Sequence, residues 1–154
     1  MNIYYSSELK SHWPKMAKQW LNQYPMLFDK DDLRLTVTQP WTHFFEWYVA
    51  IHLYQRFGVY SLLEKYGCKS HSRKLKIFNE LTSVIIRRKL DAIQDKYNVQ
   101  LPDLLVYKPD LKTFWFTEVK GNTDTLKHKQ IDSHRDIIQQ LRIPVNIINV
   151  LPLD

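Results

Sequence analysis

The spacing of apolar and polar positions predicts alternating helices and strands. Apolar residues recur at helical spacing in four stretches, residues 7–23, 41–57, 77–97 and 125–142. Short runs rich in β-branched and aromatic residues predict four strands, residues 59–66, 102–107, 116–121 and 145–151. The order helix, strand, two hairpin strands, helix and strand is typical of an α/β sandwich with a mixed sheet. In that plan the third predicted helix is an insertion.

The N-terminal part of the chain looks like an addition to this plan. The first predicted helix is followed at 29–40 by a loop, with a short extended piece at 33–37. We therefore predict one domain, in which residues 1–40 are an N-terminal extension and residues 41–154 form the core. The extension is expected to pack either on the core or on a second subunit.

Composition narrows the classes of function. The 154 residues include 22 Lys and Arg against 16 Asp and Glu, and the formal net charge of +6 suits an anionic partner. Cys68 is the only cysteine, which excludes an internal disulfide and a cysteine-based zinc site and favours a reducing compartment. No apolar run reaches the ~20 residues of a membrane span, and the polar start does not resemble a signal peptide. We expect a cytoplasmic protein with no membrane partner.

Charged residues interrupt two of the predicted strands. Asp103 opens the first strand of the hairpin, and Glu118 and Lys120 share one face at the end of the second, because side chains alternate along a strand. Paired strands lie about 4.8 Å apart, so the two carboxylates are expected to converge. Close carboxylates repel each other unless a proton or a cation relieves them. A divalent metal with oxygen ligands is the simplest answer, and Lys120 supplies a fixed positive charge beside it.

The sequence around these residues resembles the PD-(D/E)XK nuclease superfamily. Pro102-Asp103 is followed, after fourteen residues, by Glu118-Val119-Lys120. The next residues resemble the VRR-Nuc branch of that superfamily, in which a Lys-Gly-x-x-Asp-x-Leu stretch leads to a glutamine on the next helix. The residues that match this branch are Gly121, Asp124, Leu126 and Gln130.

The resemblance implies both a fold and a chemistry. The fold would be a restriction-endonuclease-like core, a mixed central sheet flanked by helices, and the cofactor would be Mg²⁺ or Mn²⁺. Metal ligands would come from Asp103, Glu118 and the backbone carbonyl of Val119. Lys120 would orient or deprotonate the attacking water or stabilise the developing charge, and Gln130 would hydrogen-bond Lys120 or a metal-bound water.

Other positions near the motif have more than one interpretation. Asp124 or Thr123 is expected to cap the last helix. His134 is expected to make a structural or phosphate contact. The chain departs from the VRR-Nuc pattern at Gln100, where glycine is usual, and at Asn122, where proline is common. Both departures change loop shape and so bear on substrate fit rather than on chemistry.

The superfamily also carries a glutamate on its first core helix. Glu46 lies in the otherwise apolar second helix, about one helix length before Gly58, and matches that position. It is therefore a candidate third acid of the metal site, unless it pairs with a basic residue or faces water. Glu80 is the alternative, on a later helix but nearer to Asp103 in the sequence.

Basic residues cluster before, beside and after the acidic positions, which suits contact with a phosphate backbone. The candidates for DNA binding are Arg73, Lys74, Arg87, Arg88, Lys127 and Lys129. For any one of them a solvated helix face is the alternative. A homodimer would supply two active sites for paired cuts in a four-way junction, and Trp13, Trp20 and Leu21 are candidates for its interface.

The expected function is therefore metal-dependent hydrolysis of DNA, by an endonuclease rather than an exonuclease. Branched, flapped or four-way junction DNA is the expected substrate, as for VRR-Nuc relatives. Two alternatives stay open. One is a nucleic-acid-binding protein that keeps the fold without turnover, and the other is a chance match in which Asp103 and Glu118 pair with surface lysines.

Overall fold

The computed structural model describes residues 1–153, which form seven helices and five strands. The strands are β1 Asn2–Tyr5, β2 Tyr60–Leu63, β3 Leu104–Tyr107, β4 Phe114–Lys120 and β5 Val145–Pro152. The helices are α1 Ser7–Ser11, α2 Ala17–Gln23, α3 Lys30–Thr38, α4 Phe44–Phe57, α5 Ser72–Leu81, α6 Val84–Tyr97 and α7 His128–Leu141. None of the helices over residues 1–153 has the length and apolar character that crossing a membrane requires.

All five strands form one mixed sheet in the order β1-β5-β4-β3-β2. The hairpin strands β3 and β4 pair antiparallel, and β2 also pairs antiparallel with β3. On the other side, β5 pairs parallel with both β4 and β1. This confirms the predicted α/β class, the mixed sheet and the succession α4, β2, hairpin, α7, β5.

Each face of the sheet has its own hydrophobic core. Leu104 and Val106 pack with α4 and the N-terminal segments, whereas Leu105 and Tyr107 pack with α5, α6 and α7. The four residues of β3 are therefore all buried, which explains why this strand is apolar at successive positions. Polar groups fit this strand only at its ends. Asp103 lies directly before β3.

The N-terminal region differs from its prediction in three ways. The first helix is divided into α1 and α2 around Pro14. The predicted loop at 29–40 contains α3, whose first turn is stabilised by a reciprocal pair of caps between Asp29 and Asp32. The edge strand β1 was not predicted, and the Met1 amine extends its pairing by donating to the Ile147 carbonyl at 3.1 Å.

The aromatic residues of the N-terminal segment pack on the chain's own core. Trp13 lies 5.6 Å from Trp47 between ring centroids, and Trp20 lies 6.2 Å from Phe44. Trp13 also donates from Nε1 to the Thr42 carbonyl at 2.8 Å. The extension therefore takes the first of its two predicted arrangements, and the homodimer stays a prediction.

Two of the later helices also differ from their predictions. The helix predicted over 77–97 is two helices, α5 and α6, because Thr82 is extended and Ser83 caps α6 by accepting from the Ile86 amide at 3.2 Å. The last helix begins at His128 rather than near Thr125, and Lys127 is its N-cap residue. The predicted cap by Asp124 or Thr123 is therefore wrong.

Lys74 on α5 links the two halves of the chain. Its side chain is fully buried, forms an ion pair with the buried Asp32 of α3, and donates to the carbonyls of Leu63 at 3.1 Å and Glu64 at 3.0 Å. Arg73 beside it donates from Nε to Asp29 at 2.8 Å. The prediction that Lys74 contacts DNA is wrong, because its ammonium group is fully buried and paired with Asp32.

Replacement of Lys74 should destabilise the fold strongly. We expect Lys74→Met to lower the free energy of unfolding by about 3–5 kcal/mol, because it leaves Asp32 buried without its partner. The double variant Lys74→Met/Asp32→Asn should recover part of that loss. Urea denaturation gives the measurement, and Lys76→Met, at an exposed position of the same helix, is the matched control. Equal unfolding midpoints for Lys74→Met and Lys76→Met would contradict the role of this pair.

Candidate active site

The two predicted carboxylates lie opposite each other at one end of the hairpin. Leu104 pairs with Thr117 in the sheet register, so the next positions outward, Asp103 and Glu118, face each other. The Val119 amide donates to Asp103 Oδ2 at 2.7 Å. This backbone hydrogen bond holds the Asp103 carboxylate against the end of β4.

Glu118 is surrounded by donors. Its Oε1 lies 2.7 Å from Lys120 Nζ and accepts from Gln130 Nε2 at 2.8 Å, while Oε2 lies 3.6 Å from His134 Nε2. Burial acts to raise the pKa of the Glu118 carboxyl, but the His134 and Lys120 side chains outweigh burial and lower that pKa below its ordinary value. Glu118 is therefore held as a carboxylate.

The helix α7 supplies two of these contacts. Gln130 and His134 are one helical turn apart, so they lie on the same face and reach the same carboxylate. Gln130 also accepts from the Lys127 amide through Oε1 at 3.1 Å, which fixes its amide group at the start of the helix. Its observed partner is Glu118 rather than Lys120. For His134, the four-residue spacing from Gln130 was the sequence signal that indicated a shared site.

Neither Asp103 nor Glu46 is paired with a cation in the described residues, and both carboxyls hold their protons more tightly than usual. Burial, followed by the negative charges of Glu118 and Glu46, raises the pKa of Asp103 to about 8. Burial also raises the pKa of Glu46 to about 7, and the charges of Glu64, Asp124 and Glu118 add to that effect. Within residues 1–153, no Lys, Arg or His lies at ion-pair distance from either carboxylate.

The two candidates for the third acid lie in different surroundings. Glu46 is on the first turn of α4 and is close enough to influence the pKa of Asp103. Glu80 is exposed on α5, and its charge acts on Tyr107, at the opposite end of β3 from Asp103. The electrostatic contacts therefore group Glu46, and not Glu80, with Asp103 and Glu118.

Two packing contacts that the sequence did not indicate fix the ends of the hairpin. Tyr66 is buried and donates to the Pro102 carbonyl at 2.9 Å, which anchors the chain directly before Asp103. Gly121 packs against Phe45 of α4 so closely that a Cβ there would lie 2.7 Å from the ring. Glycine at this position lets the end of β4 approach the helix that carries Glu46.

Two grooves meet at Asp103. The smaller, of about 470 Å³, is lined by residues 98–101 and 127–130 together with Asp103 and Glu118. The larger, of about 730 Å³, runs between the loop at 64–69 and α6. Both are lined by Gln100, Leu101 and Asp103, so they form one continuous surface past the acids.

The predicted DNA-binding residues fall into two groups. Lys127 and Lys129 line the smaller groove, and Arg87 and Arg88 line the larger one. Arg87 donates to the Thr82 carbonyl and hydroxyl at the end of α5, whereas Arg88 is exposed and has no hydrogen-bond or ion-pair partner in the described part of the chain. The remaining two, Arg73 and Lys74, are held in the ion pairs with α3 described above.

The donor set suits a hard divalent cation. Carboxylate oxygens are the ligands that Mg²⁺ and Mn²⁺ prefer, and the raised pKa values of Asp103 and Glu46 reflect negative charge that a cation would relieve. Across residues 1–153, however, no three His, Cys, Asp or Glu side chains are already drawn together in the arrangement of a metal site. A bound ion would therefore need further oxygen ligands, such as a backbone carbonyl or water.

Comparison with known proteins identifies no relative of this chain. No protein-family model, curated protein or solved structure matches this chain. The proposals below therefore depend on the residues and their geometry.

The raised pKa of Asp103 should make the free energy of unfolding of the metal-free protein depend on pH. The pKa is about 8 in the folded protein against an ordinary value of 3.8, so the folded state binds the proton more tightly. That contribution is full below the unfolded pKa and is lost as the pH rises through the folded pKa. We expect Asp103→Asn to lose less stability than wild type between about pH 4 and about pH 8.

Urea denaturation in EDTA at both ends of this range measures the effect. Asp95→Asn is the matched control, because Asp95 is exposed on α6 and lines neither of the two grooves that meet at Asp103. Its pH dependence should follow that of wild type. If the free energy of unfolding of Asp103→Asn and of Asp95→Asn depended on pH in the same way, the raised pKa of Asp103 would be contradicted.

Proposed function

We propose that this protein is a metal-dependent nuclease that hydrolyses DNA phosphodiester bonds. The observation that carries the proposal is the pairing of Asp103 and Glu118 across the hairpin end, with Lys120 Nζ 2.7 Å from Glu118 and the pKa of Asp103 raised to about 8 by burial and by the neighbouring carboxylates. These are the residues through which the sequence resembles the PD-(D/E)XK superfamily and its VRR-Nuc branch. The sheet and helix order is compatible with a restriction-endonuclease-like core.

The residues that would hold the metal are Asp103, Glu118 and the backbone carbonyl of Val119, with Glu46 nearby. A bound Mg²⁺ or Mn²⁺ supplies Lewis-acid polarisation of a phosphate oxygen and lowers the pKa of a bound water. The chain itself keeps Glu118 ionised through the contacts of His134 and Lys120, and Gln130 orients the carboxylate.

Lys120 supplies the positive charge that phosphoryl transfer needs. Its ammonium is held by Glu118 Oε1, beside a groove that also contains Asp103. In this position it stabilises the negative charge that develops on the phosphate oxygens in the transition state. Gln130 orients Glu118, so its effect on the reaction is indirect.

Substitution of the three motif residues tests the proposal. Asp103→Ala, Glu118→Ala and Lys120→Ala should each lower Mg²⁺- or Mn²⁺-dependent cleavage of labelled DNA at least about a hundredfold. The first two remove a ligand that would hold the metal, and the third removes the positive charge beside the reacting phosphate. Zn²⁺ should substitute poorly for a set of oxygen ligands. Circular dichroism and unfolding curves check that the variants fold. Cleavage by the wild type in EDTA would exclude the metal mechanism.

The same assay separates the two candidate third acids. Glu46→Gln should weaken both cleavage and Mn²⁺ binding by calorimetry, because Glu46 lies in the field of Asp103 and Glu118. Glu80→Gln should change neither, since Glu80 is exposed elsewhere. If Glu80→Gln has the larger effect, the assignment of α4 to the site is wrong.

One observation favours a second candidate function. Glu118 already has three side-chain partners, and residues 1–153 contain no preassembled group of three metal ligands. A nucleic-acid-binding protein that keeps this fold without turnover would show the same arrangement. Such a protein would bind DNA and fail to cleave any substrate in a panel of duplex, single-stranded, flapped and four-way junction DNAs with Mg²⁺ or Mn²⁺.

Both candidates predict binding through phosphates at the smaller groove. The double variant Lys127→Ala/Lys129→Ala should lower the slope of log affinity against log salt by about 1.8 on duplex DNA, at about 0.9 per phosphate contact. Fluorescence anisotropy over a range of salt concentrations measures the slope. Lys15→Ala/Lys18→Ala removes the same charge from exposed positions near α2 and is the control. Equal slopes for the two double variants would exclude this groove as the phosphate contact.

A further inference from the structure

The larger groove has a composition that phosphate contacts alone do not explain. Its accessible apolar lining is the partly buried Leu75 and Leu101 and the exposed Val84, and the buried rings of Tyr66 and Phe78 lie beneath them. Cationic side chains outnumber acidic ones at its margin, where the exposed Lys65, Lys69 and Arg88 stand with Glu64 and Asp91. The groove therefore offers an apolar floor beneath a basic rim.

One face of α6 forms a wall of this groove. The lining residues of the helix are three, four, seven and ten positions from the first, so they share one helical face: Val84, Arg87, Arg88, Asp91 and Gln94. Val84 is 53% exposed at the start of the helix. Its neighbour Ile85 is 68% exposed but does not line the groove.

An apolar floor beside a basic rim fits an unpaired nucleic-acid strand better than a duplex. In a duplex the flat faces of the bases are stacked inside, and the backbone presents only charged phosphates and sugars to a protein. In an unpaired strand the base faces are exposed and can lie on an apolar surface while cations contact the phosphates. A duplex backbone has no apolar surface that could pack against this floor.

The groove also leads to the acids. It shares Gln100, Leu101 and Asp103 with the smaller groove, so a strand that lies along α6 continues past Asp103 toward Lys127 and Lys129. We infer that the larger groove binds the unpaired DNA strand next to the scissile phosphate. This inference deepens the proposed function and rests on it, because it assigns the substrate strand to one side of the same site.

Two pairs of variants test the groove. Val84→Asp and Ile85→Asp add the same charge at neighbouring exposed positions of α6, but only Val84 lines the groove. Arg88→Ala and Lys89→Ala remove the same charge at neighbouring exposed positions, and only Arg88 lines the groove. The probe is a short fluorescein-labelled oligothymidylate, bound to the full chain in EDTA and followed by anisotropy. A blunt duplex of equal length is the comparison.

We expect Val84→Asp to weaken oligothymidylate binding about tenfold and Ile85→Asp less than about twofold. Arg88→Ala should lower the salt slope on the single strand by about 0.7, the effect of one phosphate contact, and Lys89→Ala should leave it unchanged. Both members of each pair should affect duplex binding alike. Equal loss of oligothymidylate affinity within each pair would overturn the inference. It would also be overturned if Val84→Asp and Arg88→Ala weakened duplex binding more than Ile85→Asp and Lys89→Ala do.

The outcome is separable from that of the proposed function. If metal-dependent cleavage is found but oligothymidylate binding does not depend on Val84 or Arg88, the inference alone fails. If the binding depends on both residues as expected but no cleavage occurs with any metal, the groove assignment is supported and the nuclease proposal fails.

Discussion

The acidic side chains Asp103, Glu118 and Glu46 converge at one end of the sheet, and the surrounding structure holds them there. Asp103 cannot turn away from Glu118, because the Val119 amide holds it at 2.7 Å and the Tyr66 hydroxyl anchors the preceding carbonyl. Of the acids at this point, only Glu118 has a cationic partner within residues 1–153, while the pKa of Asp103 is raised to about 8 by burial and by neighbouring carboxylates. A fold that holds acids together in this way is stabilised when a proton or a cation joins them.

The sheet explains why the acids lie where they do. Strand β3 is covered on both faces, so a carboxylate within it would have no solvent and no partner. At the strand end the coverage stops, and the grooves along α6 and α7 reach Asp103 and Glu118. The helix α4 lies on the other face, yet close packing of Phe45 on Gly121 brings its first turn to the same end of the sheet.

The parts of the fold that the sequence predicted are those with a local signal. The apolar helix α4 ends at Gly58 in the left-handed conformation, and the hairpin and β5 follow their runs of β-branched residues. Strand β1 was missed because its evidence lies in pairing with β5, at the far end of the chain. Helix α3 was missed because Leu33-Arg34-Leu35-Thr36-Val37 alternates as a strand would, and the capping by Asp29 and Asp32 decides against that pattern.

The same distinction applies to the basic residues, whose roles their neighbours determine. Lys74 and Arg88 are alike as sequence features, because each lies in a cluster of basic residues. Lys74 is paired with Asp32 and Arg73 with Asp29, both from a region distant in sequence, and Arg87 donates to the end of α5, whereas Arg88 is left exposed in the groove. The α5–α6 segment thus uses three cations in internal contacts and presents Arg88 to the surface that passes Asp103. A basic cluster in a sequence therefore overstates the binding face, because some of its residues form ion pairs and hydrogen bonds inside the fold and are not available to a ligand.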